Sequence, residues 1–158
     1  MIDSLQDQTN NGVIEEYCHR NDPANCSTYG GLYQWNEAMQ HITTGGTRGV
    51  CPTGWHIPTL TEFQILKAAV NNDGNALKAA CEGRGDGAGT NTSGFSALLA
   101  GYRSNGRMGA LGVHTFMWSF TEYYPKDADC LSLWWWNSEF GVGHWYKGDG
   151  YSVRCLKD

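Results

Sequence analysis

The sequence is poor in charged residues and has no long apolar run. Asp, Glu, Lys and Arg make up 17% of its 158 residues, against ~25% in an average globular protein. No apolar run is longer than Leu133–Trp136, whereas a bilayer span requires roughly 18 to 20 apolar residues. The residues after Met1 also lack the charged-then-apolar pattern of an export signal. We therefore expect no direct insertion into a membrane.

Basic residues are few and scattered along the chain. Eleven Lys and Arg stand against 16 Asp and Glu, which gives a formal net charge of −5 at pH 7. Proteins that bind a phosphate backbone usually collect their Lys and Arg in a patch or stripe. The sequence therefore argues against nucleic acid as a partner.

Glycine and aromatic residues are abundant instead. Glycine accounts for 21 of the 158 residues, about twice its usual share, which is typical of a turn-rich domain with few long helices. The chain also contains seven Trp, eight Tyr and five Phe. A small domain rarely needs so many large rings for packing alone, so we expect some of them at the surface, where rings bind ligands.

The cysteines match no common zinc-binding spacing. They are Cys18, Cys26, Cys51, Cys81, Cys130 and Cys155. An even number favours disulfides, which persist outside the cytoplasm. Six buried free thiols in a cytoplasmic protein are the alternative. Under the disulfide interpretation, an export signal was trimmed or is carried on a larger parent chain.

Local patterns predict helices in the first half of the chain. Residues 1–17 are expected to be a poorly ordered lead-in to a single domain over 18–158. A first helix is predicted by apolar residues at helical spacing, namely Leu32, Trp35, Met39 and Ile42. Gly45-Gly46 should end it. Thr59 and Glu62 stand at the spacing of a capping box, so a second helix should begin there, with an apolar stripe of Phe63, Leu66 and Val70.

The second half of the chain changes to a strand pattern. Turn residues separate four short segments, which are 95–102, 113–119, 131–136 and 151–156. The turn-rich loop from Cys18 to Cys26 would be closed by one disulfide. Helices followed by strands predict an α+β class with an antiparallel sheet.

Six strings in this order carry a resemblance to a known family. They are residues 21–26, 30–35, 51–59, 93–98, 117–123 and 151–158. As a set they resemble the Fibrobacter succinogenes major paralogous domain. That family is similar to the formylglycine-generating-enzyme-like branch of the C-type lectin fold, which implies two main helices, a twisted antiparallel sheet and long irregular loops.

The resemblance also implies how the cysteines pair. In the C-type lectin-like fold the chain ends meet, which implies a Cys51–Cys155 disulfide. Cys18 with Cys26 is then the local pair, and Cys81 with Cys130 is left as the third. The superfamily includes oxygen-dependent enzymes that bind copper through a cysteine pair. Because Cys155 matches a structural disulfide here, the resemblance implies no such metal site.

No other catalytic or metal-binding pattern is present. The five histidines, which are His19, His41, His56, His114 and His144, lie without ligand spacing. The chain also lacks the Glu-Pro-Asn and Gln-Pro-Asp tripeptides of calcium-dependent lectins. We therefore predict no catalytic residue, no metal and no cofactor.

The aromatic segment between Cys130 and Tyr151 is the candidate binding region. In a strand, Trp134 and Trp136 would share one face, and Leu133 and Trp135 the other. Rings flanked by polar side chains suit stacking on a sugar or anchoring in a protein patch. The predicted ligand-binding residues are Trp134, Trp136, Ser138, Glu139, Phe140, His144, Trp145, Tyr146 and Asp149. The alternative is that these rings fill the core.

The preferred hypothesis is a non-enzymatic, adhesin-like or receptor-like domain that recognises a surface carbohydrate or protein. It would act outside the cytoplasm, either secreted, on a bacterial cell surface or on a phage particle. The same segment resembles the variable end of receptors diversified by retroelements, through Trp118-Ser119-Phe120-Thr121-Glu122 and Val153-Arg154. Adenine-directed mutagenesis of Asn codons does not produce Trp, which counts against that alternative. A structural module of a larger surface protein is the other alternative.

Overall fold

The computed structural model describes residues 1–42 and 48–158, which form a mixed structure with few helices and small sheets. The helices are α1 (Pro23–Tyr29), α2 (Trp35–Ala38) and α3 (Leu60–Ala69). Short 3-10 turns lie at His19–Asn21, Gly74–Ala76 and Gly85–Gly87. Within these described ranges, no helix combines the length and apolar character that crossing a membrane requires.

In the described part of the chain, seven strands form three antiparallel sheets. The strands are β1 (Trp55–His56), β2 (Tyr102–Ser104), β3 (Arg107–Gly109), β4 (His114–Tyr124), β5 (Asp127–Trp134), β6 (Phe140–Tyr146) and β7 (Leu156–Lys157). β1 pairs with β7, β2 with β3, and the largest sheet has the order β4-β5-β6. The predicted combination of helices with antiparallel strands is therefore confirmed.

Helix α3 begins where the sequence predicts. The Thr59 hydroxyl accepts a hydrogen bond from the Glu62 amide at 3.3 Å, and the Glu62 carboxylate accepts one from the Thr59 amide at 2.8 Å. This reciprocal pair is a capping box, which satisfies two amides that the helix leaves unpaired. Phe63 is buried on the inner face of the helix.

The first predicted helix is much shorter than expected. α2 ends after four residues because Gln40 and His41 adopt positive φ angles of 52° and 57°. Ile42 is 50% exposed, so it does not extend the buried face. The predicted stop at Gly45-Gly46 lies outside the described residues.

Part of the predicted Cys18–Cys26 loop is helical instead. Asp22 caps α1 by accepting a hydrogen bond from the Ala24 amide at 3.0 Å, and Pro23 occupies the first helical position. Proline suits that position because its missing N–H would be unpaired there in any case.

Two of the four predicted strands form the main sheet. Segments 113–119 and 131–136 correspond to β4 and β5, although β5 ends at Trp134. Segments 95–102 and 151–156 form mostly isolated bridges, such as Tyr33 with Tyr151 and Met117 with Ser152. These two segments run as connections beside other elements rather than along a continuous partner strand.

The β4-β5-β6 sheet separates two hydrophobic cores. The α3-side core contains Phe63, Leu77, Leu99, Met117, Leu131, Leu133 and Phe140. The α2-side core contains Trp35, Met39, Phe116, Trp118, Cys130 and Tyr151. Alternate residues of each strand enter opposite cores, as the two-residue repeat of a strand requires.

The pairing of β1 with β7 brings the segment after Cys51 beside the last strand. The Cys51–Cys155 disulfide joins the segments beside these strands. The His56 ring lies between two carboxylates, with Nδ1 2.6 Å from Asp158 Oδ1 and Nε2 3.0 Å from Glu62 Oε1. The hydrogen bond to Asp158, together with Glu62, raises the pKa of His56. The second disulfide links Cys18 and Cys26, and both bonds are as predicted.

The third predicted disulfide, Cys81–Cys130, is wrong. Both thiols are free. Cys130 is fully buried in β5 and packs in the α2-side core, whereas Cys81 is exposed on a surface loop. The two bonds that do form are compatible with an extracytoplasmic protein.

The polar segment 1–17 packs against the domain. The Arg103 guanidinium donates hydrogen bonds to the carbonyls of Ser4 and Gln6 at 2.9 and 3.2 Å. It also forms an ion pair with Asp7 at 3.0 Å. Tyr17, at the end of the segment, is fully buried. The predicted lead-in therefore contacts the domain through the buried Arg103 side chain. The expectation that residues 1–17 are poorly ordered in solution stays a prediction.

Candidate functional site

Three of the predicted ligand-binding residues line one open cavity. Trp134, Trp145 and Asp149 share a space of about 280 Å³, which we call the aromatic cavity. The remaining lining residues are Tyr102, Ser104, His114, Phe116 and Tyr151. The cavity thus combines six rings with a hydroxyl and a carboxylate, and such a mixture is typical of small-ligand sites.

The register of the main sheet places the rings side by side. His114 on β4 is paired with Trp134 on β5, and Ala128 on β5 is paired with Trp145 on β6. A Cβ atom on Gly143 would lie 2.9 Å from the Trp145 ring. Because Gly143 has no side chain, it leaves room for the Trp145 ring to lie along β6.

Ring contacts fix the shape of the cavity wall. The His114 ring lies 4.1 Å from Trp134 and 5.1 Å from Trp136, centroid to centroid. Phe116 stacks on Tyr151 at 4.8 Å and meets the edge of Trp145 at 5.4 Å. Such offset and edge-to-face pairs stabilise one another by ~0.5–1.5 kcal/mol each. The wall is therefore preformed.

His114 brings an unsatisfied polar atom to this wall. Its Nε2 atom is buried and has no hydrogen-bond partner among the described residues. Burial lowers the pKa of His114, which favours the neutral imidazole. An unpaired buried polar atom costs ~1–3 kcal/mol, so this nitrogen lowers the stability of the fold and, being buried, does not face the open space.

Asp149 supplies the carboxylate of the cavity. The Tyr151 hydroxyl donates a hydrogen bond to Asp149 Oδ2 at 3.2 Å. Burial, with a smaller contribution from Asp149, raises the pKa of Tyr151. The hydroxyl therefore remains protonated and holds the carboxylate at the cavity.

A buried lysine holds the turn that carries Trp136. Lys78 is fully buried, and its ammonium donates to the carbonyls of Trp134 at 2.7 Å, Asn137 at 2.9 Å and Gly87. Burial lowers the pKa of Lys78. The sequence analysis missed this residue, since a lone lysine after Leu77 carries no local signal.

Trp136 and Trp135 lie on opposite faces, as the strand pattern predicts. Trp136 lies on the turn after β5, is 45% exposed and packs 5.2 Å from Trp134. Trp135 packs with Leu133 against the α3-side core. Trp136 therefore extends the aromatic wall although it lies beyond the end of the strand.

The other predicted residues lie elsewhere. Phe140 is 1% exposed in the α3-side core, so its predicted role in ligand contact is corrected to packing. Ser138 and Glu139 are exposed on the loop before β6. His144 stacks on Tyr123 at 3.8 Å. Tyr146 borders two neighbouring polar pockets.

A larger pocket of about 330 Å³ lies beside the terminal strand pair. It is mostly apolar, with Trp55, Phe95 and Leu156 among its lining residues. Its charged groups are already engaged: Arg154 donates to the Phe95 carbonyl at 2.6 Å, and Glu62 caps α3. The aromatic cavity is the better candidate, because its polar groups remain available alongside its rings.

One group of potential metal ligands occurs in the described part of the chain. It consists of Glu16, Cys18 and Cys26. Cys18 and Cys26 are bonded to each other, and a metal is bound by thiolates. The group therefore gives no support for a metal site in the disulfide-bonded protein.

Comparison with known proteins gives one match. The family model of the Fibrobacter succinogenes major domain matches residues 2–157. Searches of the curated proteins and of the solved structures found no significant match.

Proposed function

The chain belongs to the Fibrobacter succinogenes major domain family, and from that premise we propose that it is a non-enzymatic binding domain for a surface carbohydrate. The family name is consistent with a bacterial protein. One observation carries the proposal: the open aromatic cavity places preformed ring faces next to polar groups. The binding site would be this cavity, extended by Trp136.

Sugar rings match both kinds of group in the cavity. The apolar face of a sugar packs on aromatic rings, and its hydroxyls pair with polar side chains. Ser104 and Asp149 would supply those hydrogen bonds.

We expect no turnover at this site. Ser104 and His114 both line the cavity, but no hydrogen bond joins them in the described structure. An activated serine requires a base within hydrogen-bond reach. This argument supports binding without catalysis.

We also propose the C-type lectin-like fold and an extracytoplasmic location. The pairing of β1 with β7 and the Cys51–Cys155 disulfide support the fold, since in that fold the chain ends meet. The two disulfides support secretion or display on a cell or phage surface.

A matched pair of tryptophan variants tests the proposal. Trp136 is 45% exposed beside the aromatic cavity, and Trp55 is 38% exposed at the other pocket. The labelled domain would be applied to an array of bacterial, plant and animal glycans. We expect Trp136→Ala to weaken binding at least about tenfold and Trp55→Ala to leave it unchanged.

Stability measurements separate binding from folding. Trp136→Ala removes ring contacts to His114 and Trp134 worth ~0.5–1.5 kcal/mol each, so urea denaturation must show that both variants are folded under the binding conditions. Trp134 is unsuitable for this test because it packs against the α2-side core. Failure of the wild type to bind any glycan, or normal binding by Trp136→Ala, would overturn the proposal.

A second candidate function is a retroelement-diversified receptor. It is favoured by the placement of Tyr146 and Asp149, whose side chains border one pocket from the end of β6 and the turn after it. The test is to compare the gene among close relatives, together with flanking DNA, for a near-copy of the region encoding residues 130–153. Uniform sequences without such a template would remove this candidate. An empty glycan array and a uniform gene together would favour the structural-module alternative.

A further inference from the structure

The β2 segment lies between the aromatic cavity and a polar pocket. Tyr102 and Ser104, on one face of the strand, line the aromatic cavity. Arg103 on the other face, with Asn105 and Gly106 of the turn after it, lines a polar pocket of about 300 Å³. One short stretch of chain therefore borders both spaces.

The end of β6 and the turn after it form the opposite wall. Asp149 borders both the aromatic cavity and the first polar pocket. Tyr146, Gly148 and Gln34 border the first polar pocket and a second one of about 230 Å³. The three spaces are therefore consecutive, with Asp149 at one junction and Tyr146 at the other.

The first polar pocket offers hydrogen-bonding groups rather than free positive charge. In the first polar pocket, the Asp7 side chain is 76% exposed. Arg103 and Gln34 each donate a hydrogen bond to Asp7 Oδ1 at 3.0 Å. Arg103 itself is 4% exposed, and its donors are taken by Asp7 and by backbone carbonyls. A fixed carboxylate beside a neutralised arginine suits hydroxyl groups better than phosphate or sulfate.

The second polar pocket combines amide groups with an exposed lysine. Gln8, Gln34 and Asn36 line it, together with His41 and with Glu37, which is 1% exposed. Lys147 also lines it, but its ammonium pairs with Glu122 and lies over the Trp35 ring. Lys126 lines the pocket and is exposed. The amide side chains outnumber this exposed cation.

We propose that the three spaces form one groove that binds a glycan chain of several sugar units. This inference rests on the proposed function and deepens it. Each space lies near or below the lower end of the ~300–1,000 Å³ range of ligand pockets, so each suits about one ring. The aromatic cavity holds one sugar by stacking, and the polar pockets hold the next units through their hydroxyls.

A length series on the glycan array tests the groove. Each polymer on the array would be present as oligomers of increasing length, starting from the single sugar. We expect the affinity of the wild type to rise at least about tenfold from the single sugar to the longer oligomers. A protein ligand or a lone sugar would give no such series.

Two tyrosine variants test whether the polar pockets supply the affinity that longer glycans gain. Tyr146 is 54% exposed at the junction of the polar pockets, and Tyr124 is 61% exposed outside all three spaces. Tyr146→Ala should remove the gain from length and leave binding of the single sugar unchanged. Tyr124→Ala should change neither.

The outcomes distinguish the groove from the proposed function. Binding that depends on Trp136 but not on length or Tyr146 would overturn the groove and keep the aromatic cavity. Loss of single-sugar binding in Tyr146→Ala would also overturn the division into subsites. If no glycan binds, or if neither Trp136→Ala nor Tyr146→Ala weakens binding, both proposals fail.

Discussion

The Lys78 ammonium donates a hydrogen bond to the Trp134 carbonyl at 2.7 Å, across 56 residues of sequence. The same ammonium reaches Asn137 and Gly87, so one buried group ties the candidate binding turn to the glycine-rich loop. Charged groups are rarely buried unless all their hydrogen bonds are satisfied. The position of Trp136 therefore depends on a side chain remote in sequence.

Replacing Lys78 should destabilise the protein. Lys78→Met leaves the carbonyls of Gly87, Trp134 and Asn137 without their donor, and we expect a loss of at least about 2 kcal/mol in the free energy of unfolding. Urea denaturation measures it. Exposed Lys126→Met is the control and should stay within about 0.5 kcal/mol of the wild type. Equal stability of both variants would show that the buried ammonium contributes nothing net.

His114 should make the protein sensitive to acid. Burial lowers its pKa in the folded state, so below pH ~6.5 the unfolded chain binds more protons than the folded one. Stability should therefore fall as the pH drops from about 6.5 through the lower folded-state pKa. We expect His114→Phe to reduce this loss while keeping a ring against Trp134, as measured by urea midpoints at pH 7 and pH 5.

His19 provides the internal comparison for that experiment. Its pKa is also lowered by burial, so part of the acid sensitivity should remain in His114→Phe. Removing both rings should reduce it further. An unchanged pH dependence in the single variant would contradict the assignment to His114.

The two disulfides should differ in how much they stabilise the fold. The chain-entropy relation gives about 4.7 kcal/mol for the Cys51–Cys155 bond, whose residues are 104 apart, and about 2.5 kcal/mol for Cys18–Cys26, whose residues are 8 apart. Paired Cys→Ala variants, compared by urea denaturation, measure both. A larger loss from the short loop would show that native contacts outweigh chain entropy here.

The two free thiols should react in different states of the protein. Cys81 is exposed, whereas Cys130 is buried, and burial raises the pKa of its thiol. A chromogenic thiol reagent should therefore modify one cysteine in the native protein and the second only after unfolding. Cys81→Ser should abolish the native reaction. If neither thiol reacted even in urea, a Cys81–Cys130 disulfide would be present after all.

Features that depend on neighbouring residues could be predicted from the sequence alone. Thr59 and Glu62 lie three apart, so their capping box forms within one turn and marks the start of α3. The alternation of Leu133 and Trp135 with Trp134 likewise follows from strand geometry. The ordered strings along the chain were enough to indicate the family.

Which of these residues form a site depends on how distant segments pack in the folded chain. Trp134 and Trp145 share the aromatic cavity with Tyr102 and His114, which no spacing connects to them. Phe140, another aromatic residue of the same segment, packs inside instead. Burial, strand register and the reach of Lys78 depend on contacts between distant segments. Those contacts form only when the whole chain excludes water from its cores, and a local pattern cannot specify them.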